Sequence, residues 1–222
     1  IVDEALAVAS IDSYTLSATR YNHPTAGMTT YTTAQRVNLD SSTLVVGEQY
    51  AVTELKATLP GGFKVDHLPT IEGYRVEYTS SNTNVVTVTN TGVITAVGAG
   101  SATIEVKSGS ATKAINVTVT NQLRTPTTLE LAENNIKLSS GATNAYTVGV
   151  TVKDQFGNKI PELNLQSFIN NSDLNVRTST GTTISTISFG GSTLTGQADK
   201  ADLGKSTISI AAPGNTGNGT LS

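Results

Sequence analysis

Apolar and polar residues alternate along much of the chain with the period of a β-strand. Ala102, Ile104 and Val106 alternate with Thr103, Glu105 and Lys107. Ile115, Val117 and Val119 alternate with Asn116, Thr118 and Thr120. Successive side chains of a strand face opposite ways, so each run predicts a strand with one buried face. Ser108-Gly109-Ser110, between the two runs, predicts a hairpin turn. Val85-Val86-Thr87-Val88, then Asn90-Thr91-Gly92, then Val93-Ile94-Thr95-Ala96 reads as strand, tight turn, strand. The inward positions Val88, Ile94, Ile104, Val106, Val117 and Val119 are the expected core of this half.

The second half repeats the pattern. Leu129 and Leu131 alternate with Thr128 and Glu130, and Val148, Val150 and Val152 alternate with Thr147, Gly149, Thr151 and Lys153. Asp154-Gln155-Phe156-Gly157-Asn158 breaks that strand. Ile187 and Phe189, then Ile208 and Ile210, mark further inward faces. Only residues 160–169 could hold a short helix, and Pro161 and the polar spacing weigh against it. Leu39–Gly47 resembles Leu131–Gly141 in pattern, an offset of about one 100-residue immunoglobulin-type domain.

This periodicity divides the chain into three parts. Residues 1–34 are an N-terminal segment that either ends a preceding domain or extends the first sandwich. Residues 35–121 are the expected first domain and residues 122–222 the expected second, with Gly219–Ser222 read as the start of a last strand that the chain end cuts. Asn121–Pro126 is the expected linker, short and semi-rigid because it carries a proline. Ile1–Ser10 lacks the basic start of a signal peptide, and Asp3 and Glu4 interrupt its apolar run. The chain therefore reads as part of a longer protein. No run approaches the roughly 18 apolar residues of a membrane-spanning helix, so no membrane insertion is expected.

Composition narrows the class. β-Branched residues are frequent, Trp is absent and aromatics are 5%, so the cores rest on aliphatic side chains. Charged residues are 14%, well under the usual quarter, which suits contact with other protein surfaces. The net charge of −3 argues against nucleic acid, which calls for a basic face. The chain has no cysteine, which decides nothing about compartment on its own.

Three stretches carry a family resemblance: Leu44-Val45-Val46-Gly47-Glu48, Tyr78–Asn82 with Val85–Val88, and Thr91–Ile104. In the last, Gly92 can take the positive φ of a hairpin, and Gly98 and Gly100 can let the chain cross between sheets. Residues 35–120 thus resemble the bacterial Ig-like domain, group 2, with the long insert Leu59–Gly73 as a departure. Val150–Asn158 gives the second domain the look of the Ig-like modules of bacterial surface-layer (S-layer) proteins. The resemblance implies an all-β fold of tandem immunoglobulin-like antiparallel β-sandwiches. It also implies a structural role in a self-assembling S-layer lattice, outside the cell at the bacterial wall. The partners would be other copies of the same protein and flanking domains of the same chain. Two alternatives stay open: spacer domains in a bacterial adhesin stalk, and an accessory module of a secreted polysaccharide-degrading enzyme.

Catalytic chemistry is thin. The only histidines are His23 and His67, each in an expected solvated loop beside proline or Leu-Pro, and no Gly-x-Ser-x-Gly elbow is present. No catalytic residue is therefore assigned, and no cofactor is required. Calcium is the one ligand left open. Asp3, Asp12, Asp40, Asp66, Asp154, Asp199 and Asp202 lie in expected loops, and Ca²⁺ takes six to eight oxygens. Asp154 and Asn158 are the candidate metal ligands. The competing reading makes Asp154 a turn former whose carboxylate bonds its own loop amides.

Overall fold

The computed structural model describes residues 6–33, 36–132, 135–138, 146–160, 176–178, 186–190, 205–211 and 217–221. The chain divides into two compact units, Ile1–Thr125 and Pro126–Ser222.

The first unit is a two-sheet sandwich. Its strands are β1 (Ser10–His23), β2 (Gly27–Thr30), β3 (Thr43–Val45), β4 (Gln49–Thr58), β5 (Lys64–Val65), β6 (Glu77–Ser80), β7 (Val86–Val88), β8 (Val93–Ala96), β9 (Gly100–Ser108) and β10 (Ala111–Thr120). One sheet runs β2-β1-β4-β8-β7, with β5 paired to β4, and the other runs β3-β10-β9-β6. All pairings are antiparallel except β3 with β10, which run parallel, Thr43 opposite Thr118 and Val45 opposite Thr120. A one-turn 3₁₀-helix at Leu68–Thr70 follows β5, and no α-helix occurs among the described residues.

The period-2 runs form β9 and β10, paired from Ala111 opposite Ser108 to Val119 opposite Gly100. Ile104, Val106, Ile115, Val117 and Val119 point into the core, each at 2% exposure or less. Ile94 is fully buried, and Val86 is the buried residue of β7, whereas Val88, expected in the core, packs half-buried at its margin. Gly92 has φ +77°, as the β7–β8 hairpin requires. Gly98 sits where the chain passes from one sheet to the other. A Cβ there would come within 2.7 Å of the Asn84 carbonyl oxygen, so only glycine lets the two backbones meet.

From Leu6 to Thr30 the N-terminal segment packs in this sandwich. β1 pairs with β4 from Ser10 opposite Thr58 to Arg20 opposite Gln49. Ile11, Leu16, Ala18 and Tyr21 enter the same core as β9 and β10. On its other side β1 meets Val37–Leu39: the Ala18 amide donates to the Val37 carbonyl and the Leu39 amide to that of Leu16, at 2.9 and 2.8 Å. Leu6–Ala9 is held as well. The Leu6 amide bonds the Gly73 carbonyl, at the end of the insert Leu59–Gly73, and the Ala9 amide bonds that of Thr58.

These registers fix where the chain enters and leaves. β1 begins at the Thr58 end of β4, the pole that also holds the β9–β10 hairpin, since Lys113 Nζ bonds the Asp12 carbonyl. β10 ends at the Gln49 pole, where the Val46 amide donates to the Thr120 carbonyl at 3.0 Å. The first domain is threaded from one pole to the other.

The second unit holds β11 (Pro126–Leu131), β12 (Asn135–Leu138), β13 (Tyr146–Asp154), β14 (Val176–Thr178), β15 (Thr186–Gly190), β16 (Lys205–Ala211) and β17 (Gly217–Leu221). They form sheets β11-β13-β16-β15 and β12-β17-β14. Ile187 stands opposite Ile210 and Phe189 opposite Ile208 in the β15–β16 register, so the two apolar pairs of the sequence pattern are cross-strand neighbours. Val152 is buried, but Leu129, its partner on the edge strand β11, remains 39% exposed, against the inward expectation. The helix candidate at residues 160–169 lies outside the described residues beyond Ile160.

The face assignment is directly testable. Ile104→Ala should cost about 2–5 kcal/mol through lost transfer energy and the cavity left behind. Thr103→Ala, on the opposite face of β9, should cost less than about 1 kcal/mol. Equal losses in chemical denaturation would mean that the register is wrong.

Candidate functional site

A charged cluster lies sealed in the first domain, at the pole where the chain leaves. Lysine, arginine and glutamate are almost never fully buried unless paired, because removing a charge from water is costly. Arg124, from the expected linker, has a side chain with no exposure, and so has Glu48, in the turn between β3 and β4. Arg124 Nε donates to Glu48 Oε1 and Nη2 to Glu48 Oε2, both at 2.8 Å. This bidentate fork is the geometry in which a guanidinium best matches a carboxylate. Nη2 also lies 3.0 Å from the Tyr50 hydroxyl.

Glu48 has further donors. The Asn22 amide of β1 bonds Oε1 and the Val45 amide of β3 bonds Oε2, each at 2.9 Å, and the Tyr50 hydroxyl donates to Oε2. The Arg124 guanidinium stacks over the Tyr21 ring at 4.6 Å from its centroid, a cation–π contact. Tyr31 braces Tyr21 in turn, with ring centroids 6.3 Å apart and planes tilted by 59°. One carboxylate therefore joins the end of β1, the end of β3, the start of β4 and the outgoing chain.

Burial alone would lower the Arg124 pKa, but its hydrogen bonds to Glu48 and the nearby Tyr50, Tyr21 and Glu48 groups outweigh that and raise it. The guanidinium stays charged at any accessible pH. Burial pushes the Tyr50 phenol well above its ordinary value, and the Glu48 charge adds to the effect. Removing one partner of such a buried pair generally costs about 3–5 kcal/mol, because the other charge is left stranded.

Sequence reasoning missed this cluster. The available signals were a lone arginine in an otherwise uncharged linker and a glutamate directly after Gly47. Both read equally well as solvated surface charges.

Asp154 and Asn158 are both buried, at 2% and 0% exposure. Asp154 Oδ1 accepts the amides of Phe156 and Asn158, each at 2.9 Å. The Asp154 amide bonds the Asn158 carbonyl, and Gly157 takes φ +85°. The strand then returns, with the Ile160 amide donating to the Val152 carbonyl. The carboxylate is thus engaged by its own turn. Asp12 accepts from Ser10 Oγ and Thr58 Oγ1, and Asp66 pairs with Lys56 at 3.4 Å. Asp3, Asp199 and Asp202 lie outside the described residues. Among the described residues, no three His, Cys, Asp or Glu side chains gather as a metal cage would require.

The histidines are not alike. His67 is exposed as expected, its Nδ1 3.2 Å from the Thr53 carbonyl. His23 is buried, against expectation, because its Nδ1 accepts the amides of Thr25 and Ala26 and closes the β1–β2 turn.

Residues 32–119, most of the first sandwich, match the model of the bacterial Ig-like domain (group 2) family. Over 119 residues the chain is 30% identical to the S-layer protein EA1 of Bacillus anthracis, a match covering 54% of this chain and 13% of that protein. Among solved structures, it is similar to domains 4 and 5 of the S-layer protein SbsC, at 20% identity, 96% and 94% coverage and a TM-score of 0.35. It is also similar to invasin, a bacterial integrin-binding protein, at 14% identity, 94% and 49% coverage and a TM-score of 0.26.

Two measurements test these sites. Because the folded state holds Tyr50 neutral, its contribution to stability is complete below about pH 10 and is lost as pH rises beyond that. Stability measured by denaturant should fall more steeply above about pH 10 in the wild type than in Tyr50→Phe. Parallel curves would remove Tyr50 from the account. Asp154→Ala should cost about 1–3 kcal/mol, because two loop amides lose their acceptor. The same loss in calcium and in chelator identifies turn formation as its role, whereas a loss confined to calcium assigns Asp154 to a cation.

Proposed function

We propose that this chain is a structural, non-catalytic segment of a bacterial surface-layer protein, located at the cell surface and assembling with other copies of itself. The observation that carries this reading is the 30% identity to an S-layer protein over more than half of the chain. The physical features agree with it. Threading from pole to pole lets Ig-like domains follow one another in series. The low charge content leaves Thr-, Ser- and Asn-rich strand faces free for protein contacts. His23 and Asp154, the side chains with most promise for chemistry, are engaged in turns.

Electron microscopy of the full-length protein tests the reading. We expect two-dimensional ordered sheets, formed on cell-wall fragments or from purified protein, with calcium and chelator as the compared conditions. Isolated fibres ending in a receptor-binding tip would assign the chain to an adhesin stalk instead.

A further inference from the structure

We propose that Arg124 is a tension latch: it delivers a pull on the outgoing chain to Glu48, and so to both sheets of the first domain, instead of to the end of β10. This inference is independent of the lattice reading and applies to any setting in which the two ends of the domain are drawn apart.

The topology makes the question a mechanical one. The chain enters at the Thr58 pole on β1 and leaves at the opposite pole from β10. A pull on the two ends therefore runs along the strands and loads their hydrogen bonds in shear. β1 and β10 belong to different sheets, so no ladder joins them directly. On the outgoing side the last strand residue of the domain is Thr120, the terminal residue of β10. Near that end, β10 is held to β3 by the short parallel register Thr118–Thr120.

Arg124 changes the path. It lies four positions beyond Thr120 and turns its side chain back into the core, where two parallel hydrogen bonds grip Glu48. The same carboxylate holds the Asn22 amide of β1, the Val45 amide of β3 and the Tyr50 hydroxyl of β4. A pull arriving at Thr125 therefore meets Glu48 before it meets β10, and is divided over β1, β3 and β4. Burial suits the pair to this task. Water cannot compete for the donors until the cluster opens, and the fork must break both bonds together. The incoming end is secured separately, by Leu6 on Gly73 and by Ala9 on Thr58.

The absence of cysteine allows a direct test, since two introduced cysteines give unique attachment points for single-molecule pulling. One handle is Ala9→Cys on the full 222-residue chain. The second is Gln122→Cys, before the latch, or Thr125→Cys, after it; all three positions are exposed. Both pairs stretch the same folded domain, so a difference between them reports load path and not stability. The expected result is a higher mean unfolding force for the 9/125 pair than for the 9/122 pair. In Arg124→Gln the two pairs should unfold at the same force, whatever the change in overall stability. Equal forces in the two pairs with Arg124 intact would overturn the proposal, and so would a difference that persists in Arg124→Gln. Failure of the full-length protein to form sheets would count against the lattice reading and leave this result untouched.

Discussion

A buried charge must be answered by another, and in the first domain that constraint organises the outgoing pole. Glu48 sits with no solvent contact in the turn between β3 and β4. It is tolerable there because Arg124, the Tyr50 hydroxyl and the amides of Asn22 and Val45 all donate to its oxygens. Each donor comes from a different segment, so the carboxylate fixes four pieces of chain relative to one another. The aliphatic core supplies the bulk of the stability. Burial of the mainly aliphatic core has no preferred direction, whereas a bidentate ion pair with two amides demands one arrangement of donors and acceptors. The pair therefore adds a directional side-chain contact to the outgoing pole, alongside the backbone ladders of the two sheets.

The strands and turns were largely legible in the sequence because their determinants are local. Alternation in 102–107 and 115–119 marks β9 and β10, and the inward residues are those that fill the core. Gly92 and Gly98 announce a hairpin and a close crossing, since each answers a steric demand set within a few residues. The membership of 1–34 was not legible. β1 finds its partner across a long connection, and its own pattern is interrupted by bulges at Ile11/Ser13, Thr15/Leu16 and Ala18/Arg20. Those shifts break the simple alternation that would have revealed which face is buried.

The charged cluster was illegible for a different reason. A side chain's burial depends on a partner 76 residues away in sequence, and nothing near Arg124 or Glu48 signals the other. The same applies to His23, whose burial follows from the turn it caps. Asp154 shows the converse. The Asp-x-x-Gly-Asn spacing is a local device, and its carboxylate and glycine adopt the turn that such a spacing favours.

The distance in sequence between Glu48 and Arg124 also sets the order of events as the domain is made. A chain that emerges from a ribosome or an export channel with its N-terminus first presents β1, β3 and β4 long before Arg124. Until then Glu48 has no counter-ion and keeps its water, so the outgoing pole cannot close. The pair is thus a contact between residues 76 apart in sequence, available only once the residue beyond the last strand is present. Burial of Glu48 is in this way tied to the far end of the domain's own sequence.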